Sequence, residues 1–384
     1  MIDPVALLQD LIRIPSSDPP GGELAVAQHL HRVLQGAGID SALDEFLPGR
    51  ANLLGRVRGR GAAPALVFSA HMDTLPVGAA PWSFDPFGGA LVAGRVQGRG
   101  ASDMKSALAA FVAAAATLAA GPALAGDVIL LFTAGESANC IGARRFVAQG
   151  LQPEIGAFLC GEPSCSAAGS AAGTAAGLDL VIVEKAILWL RATAVGRVGH
   201  VSGTGGTNAI HLMMETLAAL RGVVLDTPAH PLLTPPTLSV GRISGGSAVN
   251  LTPDHCTAEI DVRFAPGITA EAVLAQLLPA LPDGMTLEIT DFKPAVEEPA
   301  DSAFVVACAA AVLAETGRAP QRLGVSYYSD AAILLDGHAA PFVILGPGTL
   351  GQSGARDESV PAEDVRCAAR LYARIAREWL GAGG

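Results

Sequence analysis

Three apolar runs of this chain lead directly into residues that can bind or serve a metal ion. Ala65-Leu-Val-Phe-Ser-Ala70 is followed by His71-Met72-Asp73, and Val128-Ile-Leu-Leu-Phe132 runs into Thr133-Ala-Gly-Glu136-Ser137. Ile155-Gly-Ala-Phe-Leu-Cys160 leads to Gly161-Glu162-Pro163. A fourth run, Pro341-Phe-Val-Ile-Leu345, opens into Gly346-Pro347-Gly348 and reaches Gly354, where such a residue is missing. An imidazole and carboxylates are zinc-ligand types, and a carboxylate can also accept a proton.

The elements that must position these groups follow from pattern. Short apolar runs bounded by Gly and Pro read as buried parallel strands. In an open α/β sheet, ligands gather at the carboxyl ends of such strands. Up to about residue 180, helical and strand-like segments alternate as in a doubly wound sheet. Residues 163–178 are low-complexity and small, a flexible or closely packed connection. The texture then changes. Segments 186–194, 237–243 and 256–264 alternate as half-exposed strands, with helical stretches at 208–222 and 269–280. The helix–strand alternation resumes after 293 and ends in an amphipathic helix over 361–380. The expected architecture is a doubly wound mixed α/β sheet formed by 1–184 and 294–384. A small α+β, ferredoxin-like domain over 185–293 is inserted in it.

With 384 residues, the chain is long for one core, which favours two domains. Half of its residues are hydrophobic and 16% charged, as suits a well-buried cytoplasmic enzyme. The net charge of -11 argues against a nucleic-acid partner, because phosphate contacts need a basic surface. Six Cys (140, 160, 165, 256, 308, 367) form no CxxC pair and read as reduced core thiols. The N-terminus carries acid rather than base and shows no targeting pattern. Ser106 to Gly126 lacks any charge, but Gly121-Pro122 breaks it after about four turns, which fits a buried core helix better than a membrane span.

Further motifs occur in order along the chain. Gly98-Arg-Gly-Ala-Ser-Asp103-Met-Lys105 opens an Ala-rich helix, and Trp82-Ser-Phe-Asp-Pro-Phe87, Gly199-His200, Asn208-Ala-Ile, Asn250-Leu-Thr-Pro and Arg263 follow the same pattern. Together with His71-Met-Asp73, Glu136, Gly161-Glu162-Pro163 and Gly346-Pro-Gly348, they resemble the M20 zinc peptidases. That family includes acetylornithine deacetylase, succinyl-diaminopimelate desuccinylase and related carboxypeptidases. The resemblance spans nearly the whole chain. It implies cleavage of an amide in an N-acyl amino acid or small peptide, usually with two zinc ions, by a homodimer joined through the inserted domain. It implies that His71 and Glu162 hold one zinc and that Asp103 bridges to a second. It makes Asp73 the acid that orients the imidazole and Glu136 the general base. His200 would hold the substrate carbonyl, often across the dimer, while Asn250, Arg263 and Gly348 would lie around the substrate.

Two positions depart from that pattern. The family has a second acid directly after the general base, where this chain has Ser137. The family's Gln-Ala-His-x-Pro-Asp-Glu stretch reads Gln352-Ser353-Gly354-Ala355-Arg356-Asp357-Glu358 here, so Gly354 stands at the histidine position. Both losses fall on ligands of the same zinc, and one remaining carboxylate rarely holds an ion. His71, Asp103 and Glu162 still give three ligands and an open fourth position, the pattern of a catalytic zinc. One zinc is therefore expected.

Three readings remain open from the residues: a one-zinc amide hydrolase, a non-hydrolytic enzyme on the same scaffold (acyl transfer, amide formation or lyase chemistry), and a metal-poor binding protein. Retention of Glu136 and a full ligand set weighs against the last. Asp330 is expected to cap the helix that follows it. Histidines 29, 31, 211, 230, 255 and 338 match no site motif.

Overall fold

The computed structural model describes residues 2–166, 177–203 and 206–381. The chain divides into two compact units, one of Met1–Ile182, Glu297–Leu323 and Ser329–Gly384, the other of Val183–Val296 and Gly324–Tyr328.

A nine-stranded mixed sheet carries the first unit. Its order runs Asp40–Leu47, Arg50–Val57, Val128–Thr133, Ala65–His71, Ile155–Cys165, Phe342–Thr349, Leu180–Glu184, Val296–Glu297, and Arg322–Val325 pairs with Leu180–Glu184 off this path. The four central strands, Val128–Thr133 to Phe342–Thr349, are mutually parallel. Antiparallel neighbours flank them. Ala65–His71 and Val128–Thr133 are buried at every residue, which is why their sequences are continuous apolar runs rather than alternating ones.

Two strands run further than their apolar cores. Ile155–Cys165 continues past Cys160, so Glu162 lies within a strand rather than after one. Its partner Phe342–Thr349 likewise continues through Gly346-Pro-Gly348, keeping Gly346 opposite Pro163 and Thr349 opposite Cys165. Of the low-complexity stretch 163–178, residues 167–176 lie outside the described residues.

Helices Pro4–Ile12, Lys105–Ala119, Ala303–Thr316 and Ala362–Gly381 contribute with one sheet face to a single apolar cluster. Lys105–Ala119 is buried over nearly its whole length, as its alanine composition allows. It packs so close to the sheet that a Cβ on Gly161 would lie 2.5 Å from the Ala107 Cβ and 2.7 Å from Phe111. Only glycine permits this approach, and it draws the turn before the helix up to Glu162. Phe111 stacks on Phe68 at 4.8 Å and meets Tyr372 of the last helix at 4.4 Å. The Tyr372 hydroxyl donates to the Leu345 carbonyl at 2.6 Å.

The second unit is a four-stranded antiparallel sheet, ordered Thr237–Gly245, His255–Phe264, Ala186–Val195, Met285–Lys293. With helices Ala209–Arg221 and Ala270–Leu277 it follows the β-α-β-β-α-β succession of a ferredoxin-like domain. Both helices share one apolar cluster with the sheet. Asn208 caps the first helix, accepting from the Ile210 and His211 amides. A 3-10 turn at Leu278–Ala280, where Pro279 sits, ends the second earlier than its apolar pattern suggests.

All six cysteines are buried and none is in a disulfide. Among the described residues, no helix is long and apolar enough to cross a membrane. The Tyr372 bond joins the last helix to a core strand, so Tyr372→Phe should lower unfolding stability by about 1–3 kcal/mol, read by chemical denaturation. An unchanged denaturation midpoint would show that the hydroxyl contributes nothing.

Candidate metal centre

The first unit brings five of the expected site residues together. His71 ends Ala65–His71, Glu162 lies on the neighbouring Ile155–Cys165, and Asp103 lies in the turn preceding the buried helix. Nε2 of His71 is 3.1 Å from Asp103 Oδ1 and 3.5 Å from Glu162 Oε1. One ligand atom from each of the three lies within 4.8 Å of the others.

Nδ1 of His71 faces the main-chain carbonyl of Asp73 at 2.9 Å. A carbonyl only accepts, so Nδ1 carries a proton, and Nε2 is the atom presented to the two carboxylates, able to serve as a metal ligand where an ion takes the place of its proton. The Asp73 carboxylate stands further off, 3.6 Å from Nδ1. It is engaged with the next loop, accepting from the amides of Glu136 (3.1 Å) and Ser137 (3.2 Å) and from the Ser137 hydroxyl (2.8 Å). Asp73 therefore orients the imidazole through its backbone and holds the Glu136 turn through its side chain.

The electrostatics show an excess of acid. Burial, with Asp330, Asp73 and Asp103 nearby, raises the Glu136 pKa well above its ordinary value, although His71 opposes the shift. Burial and Asp103 do the same to Glu162. Burial alone would depress His71, but Asp73, Glu162 and Asp103 outweigh it and raise its pKa well above normal. Carboxyls pushed toward their protonated forms around one imidazole are short of positive charge, which a divalent cation would supply. The donor set of one imidazole and two carboxylates suits zinc. His71, Asp103 and Glu162 thus fit a metal ion.

The turn that carries Asp103 is anchored from far along the chain. Buried Glu358 accepts from the amides of Gly100 (3.0 Å), Ser102 (2.7 Å) and Asp103 (2.9 Å), and pairs with Arg99 at 2.8 Å. Gly348 also serves this turn: a Cβ there would lie 2.1 Å from the Ser102 carbonyl oxygen. Lys105 donates to the carbonyls of Leu11 and Ile14, and burial lowers its pKa to about 7.

Asp330 does not cap its helix; the Ser329 hydroxyl accepts from the Ala331 amide instead. The Asp330 carboxyl is buried, takes the Thr133 hydroxyl at 2.5 Å, and has its pKa pushed up to about 6 by burial. Its position after Ser329 suggested a cap because local sequence does not reveal the distant Thr133. Glu358 belongs to a motif visible in the sequence, but its three amide donors lie more than 250 residues away.

The two departures have structural counterparts. Ser137 bonds to Asp73 and lies 3.3 Å from Asp18, whose carboxylate is paired with Arg50. Gly354 adopts φ +69°, in the left-handed region that disfavours side chains, and a Cβ there would meet Leu75 Cδ1 at 2.9 Å. The local backbone thus disfavours any side chain at this position, histidine included.

The remaining expected residues belong to the second unit. His200, exposed, pairs its short strand with Leu251–Thr252, and the Asn250 carbonyl accepts from the Val201 amide at 3.3 Å. Its Nδ1 meets the Ser202 hydroxyl at 2.7 Å. His200 and Asn250 are thus neighbours. Arg263, near the far end of His255–Phe264, is held apart from them by Asp261 and the Ser326 carbonyl.

A strand-end cluster of one histidine and two acids beside a third acid, on a mixed α/β sheet, offers the donor set and the proton acceptor that metal-dependent amide hydrolysis needs. Residues 67–378 match Peptidase family M20/M25/M40. A succinyl-diaminopimelate desuccinylase of Rhodospirillum centenum is 32% identical, over 98% of this chain and 97% of that protein. Among solved structures, an M20 family metallo-carboxypeptidase from Sulfolobus solfataricus superposes with a TM-score of 0.79 at 18% identity, covering 98% of this chain and 99% of its own. A dinuclear metal binding peptidase from the M20 family of Bacillus subtilis gives 0.70 at 17% identity, over 98% of both chains. The chain belongs to peptidase family M20/M25/M40.

Removing the Glu358 carboxylate would strand the Arg99 charge in a buried position. Glu358→Ala should therefore cost about 3–5 kcal/mol of stability in urea unfolding. A loss below about 1 kcal/mol would show that Glu358 is not the anchor of this turn.

Proposed function

We propose that this chain hydrolyses the amide of an N-acyl amino acid or a small dipeptide-like substrate, using one zinc ion held by His71, Asp103 and Glu162. The observation that carries this reading is the convergence of those three ligand atoms within 4.8 Å beside Glu136. Ser137 and Gly354 at the places of the other ion's ligands support a single zinc. The desuccinylase named among the relatives, which by its name removes an acyl group from an amino acid, supports the substrate class.

A bound zinc supplies Lewis-acid polarisation of the scissile carbonyl. Glu136 takes the proton of the attacking water and returns it to the leaving nitrogen, so the departing amine is neutral. Asp73 fixes the Glu136 turn through two amides while its carbonyl keeps the His71 Nε2 lone pair aimed at the ion. His200 is assigned to the substrate carbonyl, Asn250 and Arg263 to the surroundings of the substrate carboxylate, and Gly348 to substrate binding.

Protein purified without added metal should contain one tightly held zinc per chain by elemental analysis; two equivalents would overturn the stoichiometry. Glu136→Gln should keep zinc and fold but slow cleavage of N-acetyl or N-succinyl amino acids by about 10²–10⁴. If the parent cleaves none of these amides with zinc present, the hydrolytic assignment fails.

The same reading includes a homodimer formed through the second unit. The edge strand Thr237–Gly245 is exposed along most of its length and presents Val240 and Ile243 to the surface. A long apolar edge of this kind seeks a partner. Light scattering at micromolar concentration should give twice the chain mass, and a monomer would remove the dimer and any role for His200 across it.

A further inference from the structure

We propose that Ser353 is a positioning residue that holds Asp103 as a one-oxygen ligand of the single ion. The inference rests on the one-zinc reading and deepens it by naming what occupies the place of the missing ion. Its basis is the division of one carboxylate between two partners. Oδ1 of Asp103 faces His71 Nε2 at 3.1 Å, within the ligand cluster. Oδ2 accepts a short hydrogen bond from the Ser353 hydroxyl.

A carboxylate that joins two cations must offer one oxygen to each. Here the second oxygen already has a donor, and a second ion would have to displace it. The hydroxyl brings positive hydrogen to Oδ2 without bringing a full charge, so Oδ1 remains the ion's donor and the carboxylate cannot swing to chelate with both oxygens. Ser137 acts similarly on Asp73, placing a hydroxyl donor on Oδ2 at 2.8 Å. In both places a serine donates to an acid where the family pattern leads one to expect a metal-ligating environment.

Ser353 is held where it is by its own loop. Gln352 Oε1 accepts the Ser359 amide at 3.0 Å, and Arg99 Nη2 reaches the Gly354 carbonyl at 3.3 Å. Arg99 lies over Trp82 at 5.0 Å and pairs with Glu358, which itself accepts the Asp103 amide. The segment from 352 to 358 is therefore tied to the Asp103 turn at several points. The left-handed conformation of Gly354 forms part of the same loop. Ser353 and Gly354 also stand together where the family's stretch has Ala and His. The loss of the imidazole and the gain of the hydroxyl are thus adjacent in sequence and complementary in space.

Ser353 is exposed, so removing its hydroxyl leaves packing intact and the test is not confounded by unfolding. Metal-free full-length protein, Ser353→Ala and Ser353→Thr are titrated with zinc by calorimetry and with cobalt(II) by visible absorption. All three should bind one equivalent. Ser353→Ala should bind zinc about 10–100-fold more weakly, the usual effect of losing a hydrogen-bond partner of a metal ligand. Its cobalt spectrum should shift as Asp103 becomes free to use both oxygens. Ser353→Thr, which keeps the hydroxyl, should retain the parent affinity and spectrum, and metal-free melting temperatures should agree among all three. One equivalent in the parent with affinity and spectrum unchanged in Ser353→Ala would overturn this inference and leave the one-zinc reading standing. Two equivalents in the parent would overturn both.

Discussion

The constraint on which this structure turns is the burial of more acid than base at the ends of its central strands. Asp73, Glu162 and Asp330 are buried, and Asp103 and Glu136 are nearly so, around a single buried imidazole. Moving carboxylates out of water is costly unless each finds a charge or a set of donors. The chain meets this in different ways. Asp73 takes two amides and a hydroxyl, Asp330 takes the Thr133 hydroxyl, and His71 is drawn toward its charged form. Glu136 and Glu162 are instead driven toward protonation. A divalent cation among them would relax those pressures together, which is why His71, Asp103, Glu162 and Glu136 cannot be considered separately.

Holding such a cluster in register requires elements far apart in sequence. His71 and Glu162 come from adjacent parallel strands, so their separation is set by backbone pairing rather than by loops. Asp103 has no strand beneath it. Its turn is positioned instead by the glycine contact between Gly161 and the buried helix, and by Glu358 gathering three amides. The C-terminal part of the chain thus positions Asp103, which the N-terminal part supplies. It also explains why Arg99 is tolerated in a buried position: Glu358 is its counter-charge, and Trp82 covers its face.

Much of this was legible from residue types. Apolar runs ending in His71, Glu136 and Glu162 are visible because fully buried parallel strands need continuous apolar sequence, and an active-site group at their ends interrupts it. The alternating strands of the second unit were equally legible, since a sheet covered by helices on one face alternates. The limits were at places where long-range contacts decide. Nothing local distinguishes Asp330 as a partner of Thr133 from Asp330 as a helix cap. The strand Ile155–Cys165 outlasts its apolar run because the neighbouring strand continues beside it through a Gly-Pro-Gly segment that looks like a turn. Ser353 lies in a recognisable stretch, but nothing local gives it a role; its meaning comes only from the carboxylate oxygen it reaches.

The serine after Glu136 can be understood from charge alone. Asp18, Glu23 and Asp73 are all buried, and their carboxylates come within 4.8 Å of one another. Arg50 pairs with Asp18 at 2.7 Å and with Glu23 at 2.5 Å. Three carboxylates facing one guanidinium already leave negative charge to be satisfied by hydrogen bonds, and Ser137 supplies two of these to Asp73 through its amide and hydroxyl. An acid in its place would remove the hydroxyl donor and add a fourth carboxylate, a combination that a cation of its own would offset. A serine at 137 therefore suits a site without a second ion: it turns the residue after Glu136 from a group that demands a metal into one that stabilises the acid behind His71.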